Sequence, residues 1–140
     1  MHAAHDDDYP TIEDFEIIAA GVFARLPEHF RAHCEGVIIR VEDFPDDDVC
    51  DDMELESPYD LLGLYDGVNM LDKMTGMIDG IPDVITLYRE PILDYWEEGE
   101  REEGLRHIIA HVLIHEIGHH FGFSDEDMER IEEAAAASEH

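Results

Sequence analysis

Leu105–Gly122, LRHIIAHVLIHEIGHHFG, is the stretch whose reading decides the fold. Leu105, Ile108, Ile109, Val112, Leu113 and Ile117 recur at intervals of three and four, so a helix gathers them on one broad apolar face. Such a face has to be covered by other elements, which makes this helix the spine of the domain. His115 and His119 are four apart, so both imidazoles lie on one side, one turn above the other, with Glu116 beside the first. At that spacing a single helix offers two nitrogens to a zinc ion while a glutamate reaches water at the metal. The frame must be stiff, because imidazole nitrogens sit about 2.0–2.1 Å from zinc and a moving support cannot keep them there.

Gly122 comes three residues after His119 and Asp125 three after that. A glycine here can take a positive φ, end the helix and turn the chain back, which makes Asp125 the candidate third ligand. Glu126 and Glu129 compete for that place, since a glutamate from a following helix can also bind zinc. Asp125 could instead cap the helix that continues through Met128, Ile131 and Ala134; Ser124 is the more natural cap if Asp125 binds metal. His107 and His111 extend the histidine ladder in steps of four. One helix normally supplies only an adjacent pair, so these two take surface or supporting roles, as does His120, turned about 100° from His119.

His115-Glu116-Ile117-Gly118-His119 matches H-E-x-x-H, and the block HEIGHHFGFSDEDM from His115 to Met128 resembles the minimal zincins. These are a small bacterial family of acidic, single-domain zinc metallopeptidases with an extended HExxHxxGxxD motif. A looser likeness runs through Ser57–Tyr65 and Asp83–Tyr88. The larger metzincins carry histidine where Asp125 stands and a methionine turn after the third ligand. Met128 is too near Asp125 for that turn, so the minimal family is the better match.

The resemblance implies one zinc ion on His115, His119 and Asp125, with water in the fourth position. Glu116 would be the catalytic base that takes the water's proton and passes it to the leaving amine. A peptide or an unfolded protein segment is the implied substrate. Tyr65, Tyr88 and Tyr95 carry hydroxyls suited to an oxyanion, and no spacing selects among them. In zincins a strand beside the metal-site helix pairs with an extended substrate, and Val84–Tyr88 is the candidate for that edge. Two other readings compete: a zinc-binding regulatory or interaction protein with weak or no hydrolysis, and a different zinc hydrolase such as an amidase.

Bulk properties narrow the partners. A chain of 140 residues fits one domain with one core. Its 37 Asp and Glu against 8 Lys and Arg give a formal charge of −29, which repels nucleic-acid phosphates and anionic membranes. With the charge wrong and no basic track, the sequence argues against a ribonuclease. No run approaches the ~18 apolar residues of a membrane span. The start, MHAAHDDDYP, lacks the basic and apolar regions of a secretory signal, and Cys34 and Cys50 read as free thiols, so the expected location is cytoplasmic.

Residues 1–10 read as a flexible acidic N-terminus, 11–133 as the zincin-like domain and 134–140 as a frayed tail. Thr11 and Asp14 form a capping box ahead of an amphipathic helix, residues 12–26, carrying Phe15, Ile18, Ala19, Val22, Phe23 and Leu26. Pro27 permits a restart towards Cys34. Val37–Val41, β-branched apart from Arg40, predicts a central or near-central strand. Residues 44–56 hold seven acidic groups and read as a solvated loop with at most one helical turn; the glycine and alternation of a calcium loop are missing. Leu61–Tyr65 is the second expected strand. Residues 68–77 form a loop on the active-site side, and Val84–Tyr88 the third strand. Ile92, Leu93, Tyr95 and Trp96 fit a short helix in which Trp96 packs. The expected class is α/β (α+β): one minimal zincin-like domain with a small mixed sheet of three or four strands on the long helix.

Overall fold

The computed structural model describes residues 9–34, 36–66, 83–102 and 104–137. Helix α1, Ile12–Ala24, starts where the sequence places it: the Thr11 hydroxyl accepts the Asp14 N–H at 3.1 Å, and the Asp14 carboxylate accepts the Thr11 N–H at 2.9 Å. The chain restarts at Pro27 into α2, Glu28–Arg31, and one 3₁₀ turn, Ala32–Cys34. Strand β1, Ile38–Glu42, leads to α3, Asp47–Asp52, a short helix within the acidic run that the Asp46 side chain caps by accepting the Val49 N–H. Then come β2, Gly63–Asp66, and β3, Val84–Tyr88. Three helices complete the order: α4, Arg89–Glu98; α5, Leu105–Phe121; and α6, Asp125–Ala137.

The result is the expected small α+β domain with a mixed three-stranded sheet, ordered β1-β3-β2. β1 pairs with β3 in parallel and β2 pairs with it antiparallel, so Ile85 stands between Ile39 and Tyr65. Two expectations are corrected by this order. Val84–Tyr88 is not an edge: it is hydrogen-bonded on both sides and cannot accept a further strand. Val37–Val41 is not central: it flanks β3. Burial gives the reason. Ile85, Thr86, Leu87 and Tyr88 are all buried, as in a strand covered on both faces, whereas in β1 only Val41 is, and Ile38, Arg40 and Glu42 are exposed. The charged residues of β1 were the sign that its β-branched run is half-covered. The loop expected over 68–77 lies outside the described residues, as do residues 1–8.

Helix α5 runs through the middle of the core. Ile109, Leu113, Ile114 and Ile117 are fully buried and meet Phe15, Ala19 and Val22 of α1, the β3 side chains Ile85 and Leu87, and Ile92 and Leu93 of α4. Each such side chain contributes about 1.5–3 kcal/mol of burial free energy, so α5 is held on most of its circumference. At the start of α4, Arg89 is buried and ties three segments together. Its Nε donates to the Pro10 carbonyl at 2.6 Å, and its Nη1 to Glu90 at 2.8 Å and to Asp43 at 3.3 Å. Among the described residues no helix is long and apolar enough to cross a membrane.

Both cysteines are free, and their surroundings differ. Cys34 is 4% exposed, and burial pushes its thiol up to about 11; Cys50 is only half-buried, and desolvation together with Asp47, Asp51 and Asp46 raises its thiol as well. Because the thiolate is the reactive form, a buried thiol with a raised pKa stays protonated and inert. With both thiols raised, accessibility decides between them: iodoacetamide at mildly alkaline pH should label Cys50 in the native protein and reach Cys34 only on unfolding. Equal labelling of the two in the native state, read by peptide mass mapping, would contradict this packing of α2 and its 3₁₀ turn.

Candidate metal centre

The end of α5 is built by Gly122. Its φ of 80° lies in the left-handed region, and the Phe123 N–H turns back to the Gly118 carbonyl at 2.8 Å while the Gly122 N–H reaches that of His119 at 3.3 Å. That is a Schellman end, which satisfies carbonyls the helix would leave open and sends the chain back along α5. Ser124 then caps α6 by accepting the Asp127 N–H at 3.1 Å, so Asp125 is free of the capping task.

The returning helix lies very close to α5. A methyl group added at Gly118 would stand 2.8 Å from Met128 Cγ and closer still to its sulfur, and Met128 itself is fully buried. Glycine at this motif position thus lets α6 seat on α5. Gly63 performs the same service for β2, where a methyl would stand 2.6 Å from Val112 Cγ1. A helix on one side and a strand on the other therefore fix the face of α5 that carries the histidines.

On that face the His115 and His119 rings are 5.7 Å apart at 76°, His115 half-buried and His119 exposed. Asp125 is exposed at the first position of α6. Among the described residues, the one set of three candidate ligands whose donor atoms all lie within 4.8 Å of one another is His111, His115 and Glu132. The structure thus places His115 and His119 on one side of the helix as expected, and it does not gather Asp125 with them into such a set. Burial lowers the pKa of His115, with the neighbouring His111 acting in the same sense and Glu132 opposing. A neutral imidazole keeps its lone pair for a metal.

Glu116 is turned towards the sheet. The Tyr65 N–H of β2 donates to its Oε1 at 3.2 Å, and burial raises its carboxyl pKa while that hydrogen bond and nearby His119 hold it down. Tyr65 is occupied at three points: besides this N–H, its hydroxyl donates to Asp83 at 2.8 Å and its ring stacks on His120 at 3.9 Å. Of the three tyrosines considered for an oxyanion, Tyr88 is buried at the sheet and Tyr95 is exposed on α4. His120 thus has a packing partner in the Tyr65 ring.

A family model described as zincin-like metallopeptidase matches residues 34–135. The chain belongs to that family. Membership implies zinc binding, and the residues present suit it. Two imidazoles and a carboxylate make the nitrogen and oxygen donor set zinc accepts, and the buried Oε1 of Glu132 faces the His111 and His115 nitrogens. No curated protein matches the chain.

Two participants were not read from the sequence: Glu132 and the N–H of Tyr65. Glu132 had one usable sign, being four residues after Met128 and so on the same side of α6. The tyrosine contact is a backbone one across 51 residues and leaves no trace in composition.

The close seat of α6 can be tested directly. Gly118→Ala should destabilise the protein by about 1–3 kcal/mol, because Met128 must be displaced from a full core. Gly104→Ala, where a methyl meets open space, should shift the melting midpoint far less. Matching midpoints for the two variants would show that α6 does not depend on that approach.

Proposed function

We propose that the protein is a zinc-dependent peptidase in which His115, His119 and Asp125 hold one zinc ion and Glu116 is the general base. The observation that carries this is the environment of Glu116. It is a desolvated carboxylate next to the histidine pair, oriented by one backbone N–H of the sheet. A general base works best with a pKa near the working pH, and burial moves Glu116 in that direction. In a surface helix a glutamate has no need of such an anchor.

Zinc in this position supplies a Lewis acid for the carbonyl and makes nearby water acidic near neutral pH. The chain supplies the rest. Glu116 takes a proton from the attacking water at its carboxylate and delivers it to the amine nitrogen as the peptide bond opens. Tyr65 keeps that carboxylate from rotating away. α5, packed on most sides, keeps the histidines at fixed height.

Since β3 is paired on both sides, β2 is the strand that an extended peptide would approach, and it is the strand that holds Glu116. Beyond it, Leu62, Tyr95, Ile108 and Val112 line a recess next to His111, suited to an apolar side chain. Short peptides or unfolded segments fit this open arrangement. The charge of −29 disfavours nucleic acids and anionic membranes as partners, and the two free cysteines support a cytoplasmic location. A zinc-binding protein without hydrolysis would retain the histidines and give the half-buried, oriented Glu116 no task.

Glu116→Gln separates these readings because it keeps the shape and removes the base. Zinc-loaded wild type and variant are compared on a degenerate peptide library. Cleavage should fall by about 10²–10⁴-fold in the variant, with zinc content and melting midpoint retained. Equal cleavage would remove Glu116 as base, and an inactive wild type would favour the binding protein.

A further inference from the structure

Glu132 lies outside the extended motif, yet its surroundings are unusual for a carboxylate of so acidic a chain. The side chain is only 20% exposed and Oε1 is shut off from solvent. His111 Nδ1 stands 2.5 Å from that oxygen and His115 Nε2 stands 3.1 Å from it. Two imidazole nitrogens thus converge on one buried carboxylate oxygen, and His115 hydrogen-bonds to that carboxylate. A buried carboxylate oxygen approached by two imidazole nitrogens is a spot where a proton or a cation has to sit between the donor atoms.

The dimensions suit a metal ion. Tetrahedral zinc, with bonds of about 2.0–2.2 Å, separates its donors by roughly 3.3 Å. The two separations from Glu132 Oε1 need to open by less than ~1 Å, a movement that rotation about the Glu132 side chain supplies, and all three donor atoms already lie within 4.8 Å of one another. The two rings are 4.0 Å apart on successive turns of α5, and His111 is half exposed, which gives an ion a way in. Opposite them, Glu132 follows one turn after Met128 on α6, and Met128 packs against Gly118.

We propose that His111, His115 and Glu132 form a second divalent-metal position, alternative to the motif position, and that one ion occupies one or the other. This rests on the zinc-peptidase reading for the existence of the motif position. His115 presents a single Nε2 lone pair, so an ion held by Glu132 takes the first histidine away from the set that includes His119. Both sets consist of two histidines four apart on α5 and one carboxylate from α6. Donor type and charge are equal, so donor chemistry alone does not favour one strongly. The division between them follows their relative affinities, and a chain with its ion at Glu132 is a resting form.

The test uses the full chain as wild type, His119→Ala and His119→Ala/Glu132→Gln. Each is titrated with zinc against a chromophoric chelator, and the zinc-loaded proteins are crystallised for anomalous scattering at the zinc edge. Wild type should bind one tight ion even in excess zinc. His119→Ala should still bind one, with its anomalous peak among His111, His115 and Glu132, and the added Glu132→Gln should weaken it about 10–100-fold further. If His119→Ala does not fold, as judged by circular dichroism, His119→Gln replaces it.

A folded His119 variant that binds no zinc, or holds it elsewhere, overturns the second position and leaves the motif reading intact. Two tight ions in the wild type overturn the sharing of His115. A wild-type peak among His111, His115 and Glu132, with affinity unchanged in His119→Ala, upholds the second position and overturns the motif assignment instead.

Discussion

The metal centre depends on how closely α6 lies on α5, and that is set where Met128 meets Gly118. With no side chain on α5 at this point, the methionine fills the space a methyl group would need. Gly122 has already turned the chain back, so the helices run antiparallel and every later contact follows from the first. One turn further along α6, Glu132 arrives beside His115 and His111. A single glycine within the metal motif thus decides which carboxylates the histidines can meet. This couples packing to chemistry: an overpacked position here would move the donor atoms as well as reduce stability.

The opposite flank is set by β2. Gly63 brings this strand against Val112, and Tyr65, two residues on, reaches Glu116 through its backbone. The same tyrosine is fixed by Asp83 at the entrance to β3 and by the His120 ring. Glu116 is therefore oriented from the sheet while the histidines are positioned by the helix. The fixed angle between the two elements comes from the buried apolar face of α5.

Much of this was legible in the sequence because it rests on local rules. The capping box at Thr11, the restart at Pro27, the left-handed glycine at 122, the serine cap at 124 and the apolar period of α5 each follow from a few neighbouring residues. Strand order did not. VIIRV and VITLY look alike as β-branched runs, and which of them is paired on both sides depends on what covers each face, a non-local matter. Only the exposed Arg40 and Glu42 hinted at the outcome. Side-chain convergence was likewise out of reach: His111 looked like a spare rung of the ladder until α6 laid Glu132 against it.

His115 is the pivot of the site. It belongs to the H-E-x-x-H pair, it lies against Glu132, and its neighbour Glu116 is held by the sheet. In both proposed sets, whichever carboxylate completes them, the ion takes this imidazole. Zinc content of His115→Ala after dialysis against a chelator is the most direct measurement. The folded variant should retain no tightly bound zinc, whereas one equivalent per chain, as in the wild type, would contradict a metal centre built on this histidine.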